Sequence, residues 1–515
     1  MLPVLSREQS RAADAYTIAH EPIASIDLME RAARACTERI LQLPLTIERE
    51  VFVVCGPGNN GGDGLAIARM LHQVGQRVSA VLMDPSGRMG IETQTQLERA
   101  EAAGVKVERP SSIDQFRSLD PTVLVVDALF GSGLDRPLNG FPTDVVRWIN
   151  AARAEVVAID LPSRMLCEGV VGKGEGVVRA SVTLTLECPK QSFFFGENAD
   201  YVGHWEVLPI GLDKSFLSTL PADQVMLEAA DARAILPPRP RFAHKGIFGH
   251  ALLLAGSEGM YGAAVLAARA CVRSGVGRCT LRGPGSMSTA MIAAVPEAMC
   301  SADPDGETLT ELPDLSRATA VGIGPGIGQD ARTATLLKLL IQEARSPLVL
   351  DADALNILSE NKTWLGFLPP STILTPHPKE FDRMAGPCGD SAERLEKARA
   401  FALKYGVVLI LKGAFIAVIA PDGKVCFNPT GNAGMAKGGS GDVLTGLLTG
   451  LRAQGIPSLP AALLGTYVHG LAGDLAADAI GGDGMTAIDI ASYVPAAFKR
   501  LRQADHNSPA TLPAP

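Results

Sequence analysis

The sequence predicts an α/β protein of two domains, each organised around a mainly parallel sheet. The chain has 515 residues, which is more than one ordinary hydrophobic core accommodates. Short continuous apolar runs alternate with helical segments along its length, and this alternation is typical of parallel strands covered by helices. Several of these runs end directly in glycine-rich or acidic turns. Because an open parallel sheet binds its ligands at such strand ends, the pattern also indicates ligand sites.

Composition and charge narrow the class of protein. The net charge is −8 and no run of Lys or Arg stands out, so nucleic acid and anionic membranes are disfavoured as partners. No apolar run approaches the roughly 20 residues that a membrane span needs, and residues 1–10 lack the apolar core of a signal peptide. The nine cysteines are scattered without a C-x-x-C pair, as is typical of reduced thiols. We therefore expect a cytoplasmic protein that acts on small molecules.

The N-terminal half begins with two helices and a buried strand. The capping box formed by Ser6 and Gln9 predicts a helix that runs toward His20, and a second helix follows over residues 26–41. Val51–Cys55 is a continuous apolar run, which predicts a buried parallel strand.

A glycine-rich turn at residues 56–64 separates this strand from a helix predicted to begin at Leu65. Strand, glycine turn and helix form the Rossmann-like layout of a nucleotide-phosphate site, which makes a dinucleotide-dependent dehydrogenase one interpretation. Asn59, Asn60 and Asp63 lie inside the turn, however, and a bare pyrophosphate cradle does not require them. Their carbonyl and carboxylate oxygens suit a monovalent cation or a ribose as well.

Two later strands of this half end in a carboxylate. The apolar run 123–126 leads to Asp127, and the run 156–159 leads to Asp160. One such residue is commonly a helix cap, but two of them beside the asparagine-rich turn predict a polar ligand site.

Three motifs of this half, N-N-G-G-D-G, D-A-L-F-G-S-G-L and D-L-P-S, resemble the epimerase domain of the NAD(P)H-hydrate repair enzymes over roughly residues 1–217. The resemblance implies interconversion of the two epimers of hydrated NADH or NADPH, with Asp160 at the reacting ring. It implies a potassium site formed by Asn60, Asp127 and Ser163. The residues that it implies for substrate binding are Asn59, Asn60, Gly61, Gly62, Asp63, Gly131, Ser132, Gly133, Leu134, Asp135, Arg136, Pro137 and Asp160.

The sequence departs from this family at one position. The family has D-I-P-S-G where this chain has Arg164 after the serine. If the position needs a positive φ, Arg164 is strained there. A cationic side chain in the crevice would compete with potassium for Asp127 and Asp160, so we expect weakened epimerase activity.

The two halves meet in a proline-rich junction. Residues 213–240 contain four prolines and no strand-like run, and we place the boundary near Pro221. The predicted domains are residues 1–220 and 224–505, followed by a disordered tail over residues 506–515.

In the C-terminal half, charged residues follow several predicted strands. Asp351 and Asp353, His377 and Lys412 occupy such positions, and Gly438–Asp442 opens a helix. Each has a structural alternative, as a capped turn, a hydrogen-bonding histidine, a surface lysine or a helix cap. Their shared place at strand ends favours a site in which Lys412 and the glycine turn neutralise a transferred phosphate while Asp442 accepts a proton.

The motifs H-K-G-x-F-G-H, D-A-D-A-L, T-P-H-P-x-E-F and G-N-x-G-M-A-x-G-G-S-G-D are similar to those of the ribokinase-like dehydratase domain of the same repair enzymes, over about residues 226–502. The resemblance implies ADP or ATP with Mg²⁺ as cosubstrate and Asp442 as catalytic base. Substrate contacts are implied for Gly326, His377 and Asp442. Nucleotide contacts are implied for Lys412, Gly413, Ala414, Phe415, Ile416, Asn432, Gly438, Gly439, Ser440 and Gly441.

Together the two resemblances imply a bifunctional enzyme, an isomerase fused to a lyase, and we expect it to assemble from identical subunits. The epimerase would supply the dehydratase with the one epimer that it uses. The alternatives are a small-molecule kinase of the same C-terminal fold and an N-terminal half that only senses nicotinamide nucleotides.

Overall fold

The structure is a computed structural model that describes residues 1–43, 49–84, 87–134, 140–172, 174 and 176–503. The chain divides into two compact units. The N-terminal unit is Leu2–Ala222, and the C-terminal unit is Asp223–Pro515 together with Met1. The tail predicted over residues 506–515 lies outside the described residues.

The N-terminal unit contains eight strands and seven α-helices among its described residues. Its strands are β1 (Leu2–Pro3), β2 (Val51–Cys55), β3 (Val78–Leu82), β4 (Lys106–Glu108), β5 (Leu124–Ala128), β6 (Glu155–Ile159), β7 (Val182–Leu186) and β8 (His204–Leu208). Its helices are α1 (Arg7–His20), α2 (Ser25–Leu41), α3 (Asn59–Gln73), α4 (Ile91–Ala102), α5 (Phe141–Ala151), α6 (Ala199–Val202) and α7 (Lys214–Thr219).

Seven of these strands form one parallel sheet in the order β4-β3-β2-β5-β6-β7-β8. Successive residues of β2 point to opposite faces. Val51, Val53 and Cys55 join the core formed with α2, α3 and α4, whereas Phe52 and Val54 join the core formed with α5. Both faces of the sheet are covered, which explains the continuous apolar run and confirms a three-layer α/β/α arrangement.

The C-terminal unit is built on a larger sheet. Its strands are β9 (Gln224–Met226), β10 (His250–Leu254), β11 (Arg278–Pro284), β12 (Met299–Asp303), β13 (Ala320–Ile323), β14 (Leu348–Leu350), β15 (Ile373–Leu374), β16 (Val408–Leu411), β17 (Ile416–Ile419) and β18 (Val425–Asn428). Its helices are α8 (Ala229–Ile235), α9 (Tyr261–Arg273), α10 (Ser288–Ala294), α11 (Ala331–Glu343), α12 (Ala352–Glu360), α13 (Pro378–Ala385), α14 (Ser391–Tyr405), α15 (Ser440–Ala453), α16 (Ser458–Ile480) and α17 (Ala487–Gln503).

The strand order of this unit is β9-β18-β17-β16-β15-β14-β13-β10-β11-β12. All neighbours pair in parallel except β16 with β17 and β17 with β18. Helix α15 is buried between the sheet and α9. A side chain at Gly446 would meet the backbone oxygen of Ala267 at 1.9 Å, so only glycine permits this close approach.

Two local predictions are wrong. Helix α3 begins at Asn59 rather than at Leu65, so most of the predicted turn is helical. The helix can start there because residue 61 is glycine. A side chain at this position would lie 1.7 Å from the backbone oxygen of Gly56. The junction was expected to lack a strand, but Gln224–Met226 forms β9 and pairs with β18. Strand β9 has only three residues, which is too short for an alternation of polar and apolar residues to stand out in the sequence.

Candidate active sites

The first candidate site lies at the carboxyl edge of the N-terminal sheet. The strand order reverses between β2 and β5, and ligands of open α/β sheets bind at such a point. A cavity of about 130 Å³ opens there. Its polar lining includes Asp14, Asn59, Asp63, Ser132, Asp160, Glu187 and Lys190.

Asp160 follows β6 and is held in a strained conformation. Its φ of 65° is uncommon for a residue other than glycine. One carboxylate oxygen accepts from the backbone N–H of Ser132 at 2.8 Å, and the other lies 3.1 Å from the ammonium of Lys190. Burial alone would raise the pKa of Asp160, but Lys190 and the hydrogen bonds from Ser132 hold it below its ordinary value.

Asp127 and Ser163 form a buried pair beside this residue. The Asp127 carboxylate accepts from the Ser163 hydroxyl at 2.6 Å, from the Ser163 N–H at 2.8 Å and from the Leu129 N–H at 3.3 Å. Burial raises the pKa of Asp127 to about 6, against the effect of these bonds.

Asn60 lies at the same place with an amide that is buried and has no hydrogen-bond partner among the described residues. A side chain added at Gly131 would come within 3.0 Å of both the Asn60 amide oxygen and an Asp160 carboxylate oxygen, so both groups border that glycine. A buried, unpaired amide oxygen beside the Asp127–Ser163 pair fits a monovalent cation, which takes oxygen ligands.

Two further carboxylates in the cavity retain protons more readily than Asp160 does. Burial, with the nearby charge of Asp160, raises the pKa of Asp63 well above its ordinary range. The same two causes raise the pKa of Asp14 to about 6, against the opposing effect of Lys190. One cavity therefore combines an ionised carboxylate with protonatable ones, an arrangement suited to proton transfer.

Arg164 does have a positive φ, 75°, as the comparison with glycine predicted. Its guanidinium donates to the carbonyl oxygen of Gly176 at 2.6 Å. The donors to Asp127 and Asp160 are other residues, so the side chain does not occupy the crevice as expected. Asp135, Arg136 and Pro137, also predicted to bind substrate, lie outside the described residues.

The second candidate site surrounds the amino end of α15. Gly439 precedes the helix with a φ of 94°, and the first backbone N–H groups of α15 are therefore directed at the turn. A side chain at Gly441 would lie 3.3 Å from the Lys412 ammonium. A helix amino end, a glycine turn and a lysine together favour an anion such as phosphate.

Lys412 follows β16 and pairs with Asp351 at 2.8 Å. Asp351 is buried and accepts a second hydrogen bond from the Thr445 hydroxyl at 2.7 Å. Burial would lower the pKa of Lys412, but Asp351 and Glu380 raise it, so the ammonium stays charged. The alternative of a solvated surface lysine is thus wrong.

Asp442 lies in the first turn of α15 without an ion-pair partner among the described residues. Burial and the nearby Asp351 raise its pKa to about 6, and Lys412 opposes this shift. A carboxylate that gains and loses protons near neutral pH is suited to general-base catalysis. Asp353 is also close enough to act on Asp442, and such carboxylates, with phosphate oxygens, are ligands that fit Mg²⁺.

The remaining predicted residues are distributed around this site. Gly326 has a φ of 62° and would collide with Met260 if it carried a side chain. His377 caps α13, accepting from the N–H groups of Lys379 and Glu380. Gly413, Ala414 and Phe415 form the turn between β16 and β17, which starts at Ile416.

The side chain of Asn432 is already engaged within the fold. It accepts from the Gly434 N–H and donates to Asp474, both at about 3 Å. Ser440 donates its hydroxyl to the Met435 carbonyl at 2.7 Å. A nucleotide would therefore meet this segment mainly through backbone groups.

Several polar residues in or beside the sites have no motif and were missed. Lys190 and Asp14 line the first cavity, and the neutral His469 contacts the Ser440 carbonyl beneath the second site at 3.0 Å. Burial lowers the pKa of His469 to about 4. Each is an isolated residue in the sequence, and only folding brings it to the site.

Among the described residues, no cluster of three or more His, Cys, Asp or Glu side chains is arranged to hold a metal ion. None of the helices described here combines the length and apolar character that crossing a bilayer requires. Among the described residues, each of the two α/β units places a lysine and carboxylates at the carboxyl edge of its sheet. The carboxyl edge is where open α/β sheets bind their ligands, so this arrangement is typical of α/β enzymes that act on small molecules.

Comparison with known proteins identifies the family. A family model described as NAD(P)H-hydrate dehydratase matches residues 251–496, and one described as YjeF-related protein N-terminus matches residues 25–192. The "Bifunctional NAD(P)H-hydrate repair enzyme Nnr" of Moorella thermoacetica is 36% identical over 93% of this chain and 94% of its own length. The enzyme of that name from Thermofilum pendens is 33% identical over 98% of this chain and 96% of its own length. This chain belongs to the bifunctional NAD(P)H-hydrate repair enzyme family.

A solved structure also resembles the C-terminal half. The ADP/ATP-dependent NAD(P)H-hydrate dehydratase of Bacillus subtilis, co-crystallised with ATP and Mg²⁺, is 33% identical. It covers 54% of this chain and 98% of its own length, with a TM-score of 0.47.

Proposed function

We propose that the C-terminal unit dehydrates hydrated NADH or NADPH in a reaction that consumes ADP or ATP. The observation that carries this proposal is Asp442, an unpaired carboxylate with a pKa of about 6 beside the Lys412 and glycine-turn anion site. Asp442 takes the proton of the substrate hydroxyl while that oxygen bonds to the terminal phosphorus. The bond between this phosphorus and its bridging oxygen breaks, so that AMP is released from ADP, or ADP from ATP. Lys412 and the amino end of α15 neutralise the transferred phosphate.

The phosphorylated hydroxyl is then a good leaving group. Inorganic phosphate departs as the lone pair of the ring nitrogen moves toward the ring carbon, and loss of a ring proton restores NADH or NADPH. Gly326 and His377 would contact the hydrated ring. Residues 412–416, Asn432 and residues 438–441 would contact the nucleotide, and Mg²⁺ would accompany its phosphates.

The N-terminal unit is proposed to exchange the two epimers of the same hydrate. Asp160 would handle the proton of the hydroxyl on the ring carbon whose configuration inverts, and the segments 59–63 and 131–137 would bind the substrate. Asn60, Asp127 and Ser163 would hold a potassium ion, whose positive charge would stabilise negative charge on bound oxygen atoms. The buried, unpaired amide of Asn60 supports this assignment.

We also propose that the protein is cytoplasmic and that it forms a homo-oligomer. The nine cysteines are free thiols, which supports a reducing cytoplasmic environment. A homo-oligomer stays a prediction, and light scattering coupled to gel filtration would test it.

The test of function measures the recovery of NADH absorbance from hydrated NADH, first with ADP and then with ATP. The proposal requires that phosphate release and NADH recovery be equal. A stable phosphorylated hydrate without NADH recovery would instead indicate a simple kinase. Epimer exchange by the N-terminal unit, measured with and without potassium, separates an epimerase from a sensor of nicotinamide nucleotides.

A further inference from the structure

Lys190 is a buried lysine that belongs to none of the recognised motifs. It lies four residues beyond the end of β7, and only 2% of the residue is exposed. Its ammonium lies 3.1 Å from Asp160, 3.1 Å from the Thr185 hydroxyl and 2.9 Å from the Cys188 carbonyl oxygen. Lysines are almost never fully buried unless they are paired, so this position needs a specific reason.

The carboxylate that Lys190 contacts is oriented from two sides. One oxygen of Asp160 accepts from the Ser132 N–H, and the other faces Lys190, with the Thr185 hydroxyl at 3.5 Å. The strained φ of Asp160 shows that surrounding contacts hold this residue in place. Both Lys190 and Asp160 line the cavity of the N-terminal unit.

The other carboxylates around the cavity form no ion pair with Lys190 among the described residues. Asp14 on α1, Asp63 on α3 and Glu187 before Lys190 all line the same space. The Glu187 carboxylate accepts from the N–H groups of Ile210 and Leu212. Among the described residues, Asp160 is the carboxylate that Lys190 pairs with.

We propose that Lys190 is a positioning residue for epimer exchange. Its ammonium, anchored by Thr185 and the Cys188 carbonyl, fixes the Asp160 carboxylate against the substrate while the neighbouring carboxylates repel it. This proposal rests on the proposed epimerase function of the N-terminal unit. Without the ammonium, Asp160 would lose one of its two orienting contacts and face an excess of like charge.

The test compares three variants of the full-length protein in the exchange assay, after subtraction of the uncatalysed rate. Lys190→Met keeps the volume but removes the charge, and kcat is expected to fall by about 100-fold, as misplacement of a reacting group does. Thr185→Val keeps the ion pair and removes one hydroxyl. It is expected to lower kcat by about 10-fold, the effect of one hydrogen bond to a charged group.

Ser192→Ala is the matched control. Ser192 is buried on the same segment, and its hydroxyl has no hydrogen-bond partner among the described residues. Its kcat should equal that of the unaltered protein. The KM for the hydrate should change little in all three variants, because positioning acts on turnover more than on binding.

A fourth variant, Lys190→Ala, is used for chemical rescue, a readout that a merely structural role would not change. Ethylamine, but not ethanol, should restore exchange to Lys190→Ala without changing its melting temperature. A folded Lys190→Met with unchanged kcat would overturn the proposal. If Lys190→Met does not fold, the kcat of Thr185→Val tests the proposal instead. A kcat of Thr185→Val equal to that of Ser192→Ala would overturn it. No exchange by the unaltered protein would instead overturn the proposed epimerase function on which it rests.

Discussion

The two units each pair a lysine with a buried aspartate, but the role proposed for the pair differs. In the N-terminal unit the partner of Lys190 is Asp160, the residue proposed to react. In the C-terminal unit the partner of Lys412 is Asp351, and the proposed base, Asp442, is left without an ion-pair partner among the described residues. The first arrangement lowers the pKa of the reacting carboxyl, whereas the second leaves it raised to about 6.

This difference matches the chemistry proposed for each site. The lysine of the C-terminal unit is proposed to face a transferred phosphate, and its partner Asp351 is itself held by the Thr445 hydroxyl. A base that shared this lysine would be less basic, because a nearby cation stabilises its ionised form. The epimerase site has no phosphate to transfer, so its lysine is free to orient the reacting carboxylate itself.

The largest effect is expected from Asp442→Asn. Dehydratase turnover should fall by about 100-fold or more, as loss of a general base does, while nucleotide binding is retained. Epimer exchange in the same preparation should be unchanged and serves as the control. Near-normal dehydratase turnover in this variant would show that Asp442 is not the base. The contrast between an unpaired base in one site and a lysine-paired carboxylate in the other would then be wrong.

The second largest effect is expected in the pH dependence, which should differ between dehydration and epimer exchange. Asp442 must be ionised to act as a base, so dehydratase kcat/KM should fall as the pH drops through about 6, by about tenfold per pH unit below that value. Because the pKa of Asp160 is lowered, ionisation of Asp160 should impose no such fall on epimer exchange between pH 5 and 7. Dehydratase kcat/KM that stays constant from pH 7 down to pH 5 would contradict the role of Asp442 as the base.

A smaller effect is expected for the stability of the C-terminal unit. The folded pKa of Asp442 is raised above its ordinary value, so its contribution to stability is fully present at low pH and is lost as the pH rises through about 6. Asp442→Asn should therefore raise the melting temperature at pH 8 by about 2–4 °C, the shift expected for roughly 1 kcal/mol, and have less effect at pH 5. Calorimetry at both pH values measures this, and a lower melting temperature at pH 8 would refute it.

Arg164→Gly should have a smaller effect still. Glycine relieves about 1 kcal/mol of strain at a φ of 75° but removes the hydrogen bond to Gly176, which contributes about as much. Because the guanidinium is directed at Gly176, potassium-dependent exchange should change by less than about twofold, since the reacting groups do not move. A large gain in exchange would show that Arg164 does obstruct the crevice.

Separation of the units should have the smallest effect. Each unit has its own sheet and core, so residues 1–222 and 223–515 should fold as separate fragments. The C-terminal fragment should keep its full dehydratase turnover on the correct epimer. A matched fragment that starts at residue 229 lacks β9, exposes the edge of β18 and should be less stable.

The sequence located most of the proposed reacting groups because they follow apolar strands or open a helix in continuous motifs. Asp160, Lys412 and Asp442 are of this kind, and Asp127 lies near the end of the apolar strand β5. Lys190, Asp14 and His469 could not be found in this way, since each is a single polar residue whose neighbours in the sequence are unrelated to the site. The start of α3 was missed for a related reason, because glycine and asparagine ordinarily indicate a turn.

The sequence by itself determined the two α/β units, the order of most of their elements and the glycine turn before α15 that is proposed to bind phosphate. These depend on local patterns, namely apolar runs, caps and glycines, which act over a few residues. Only the tertiary structure decided which lysine pairs with which aspartate, and hence the direction of each pKa shift. Burial and the distance between charges control these shifts, and both arise when strands far apart in the chain become neighbours in a sheet.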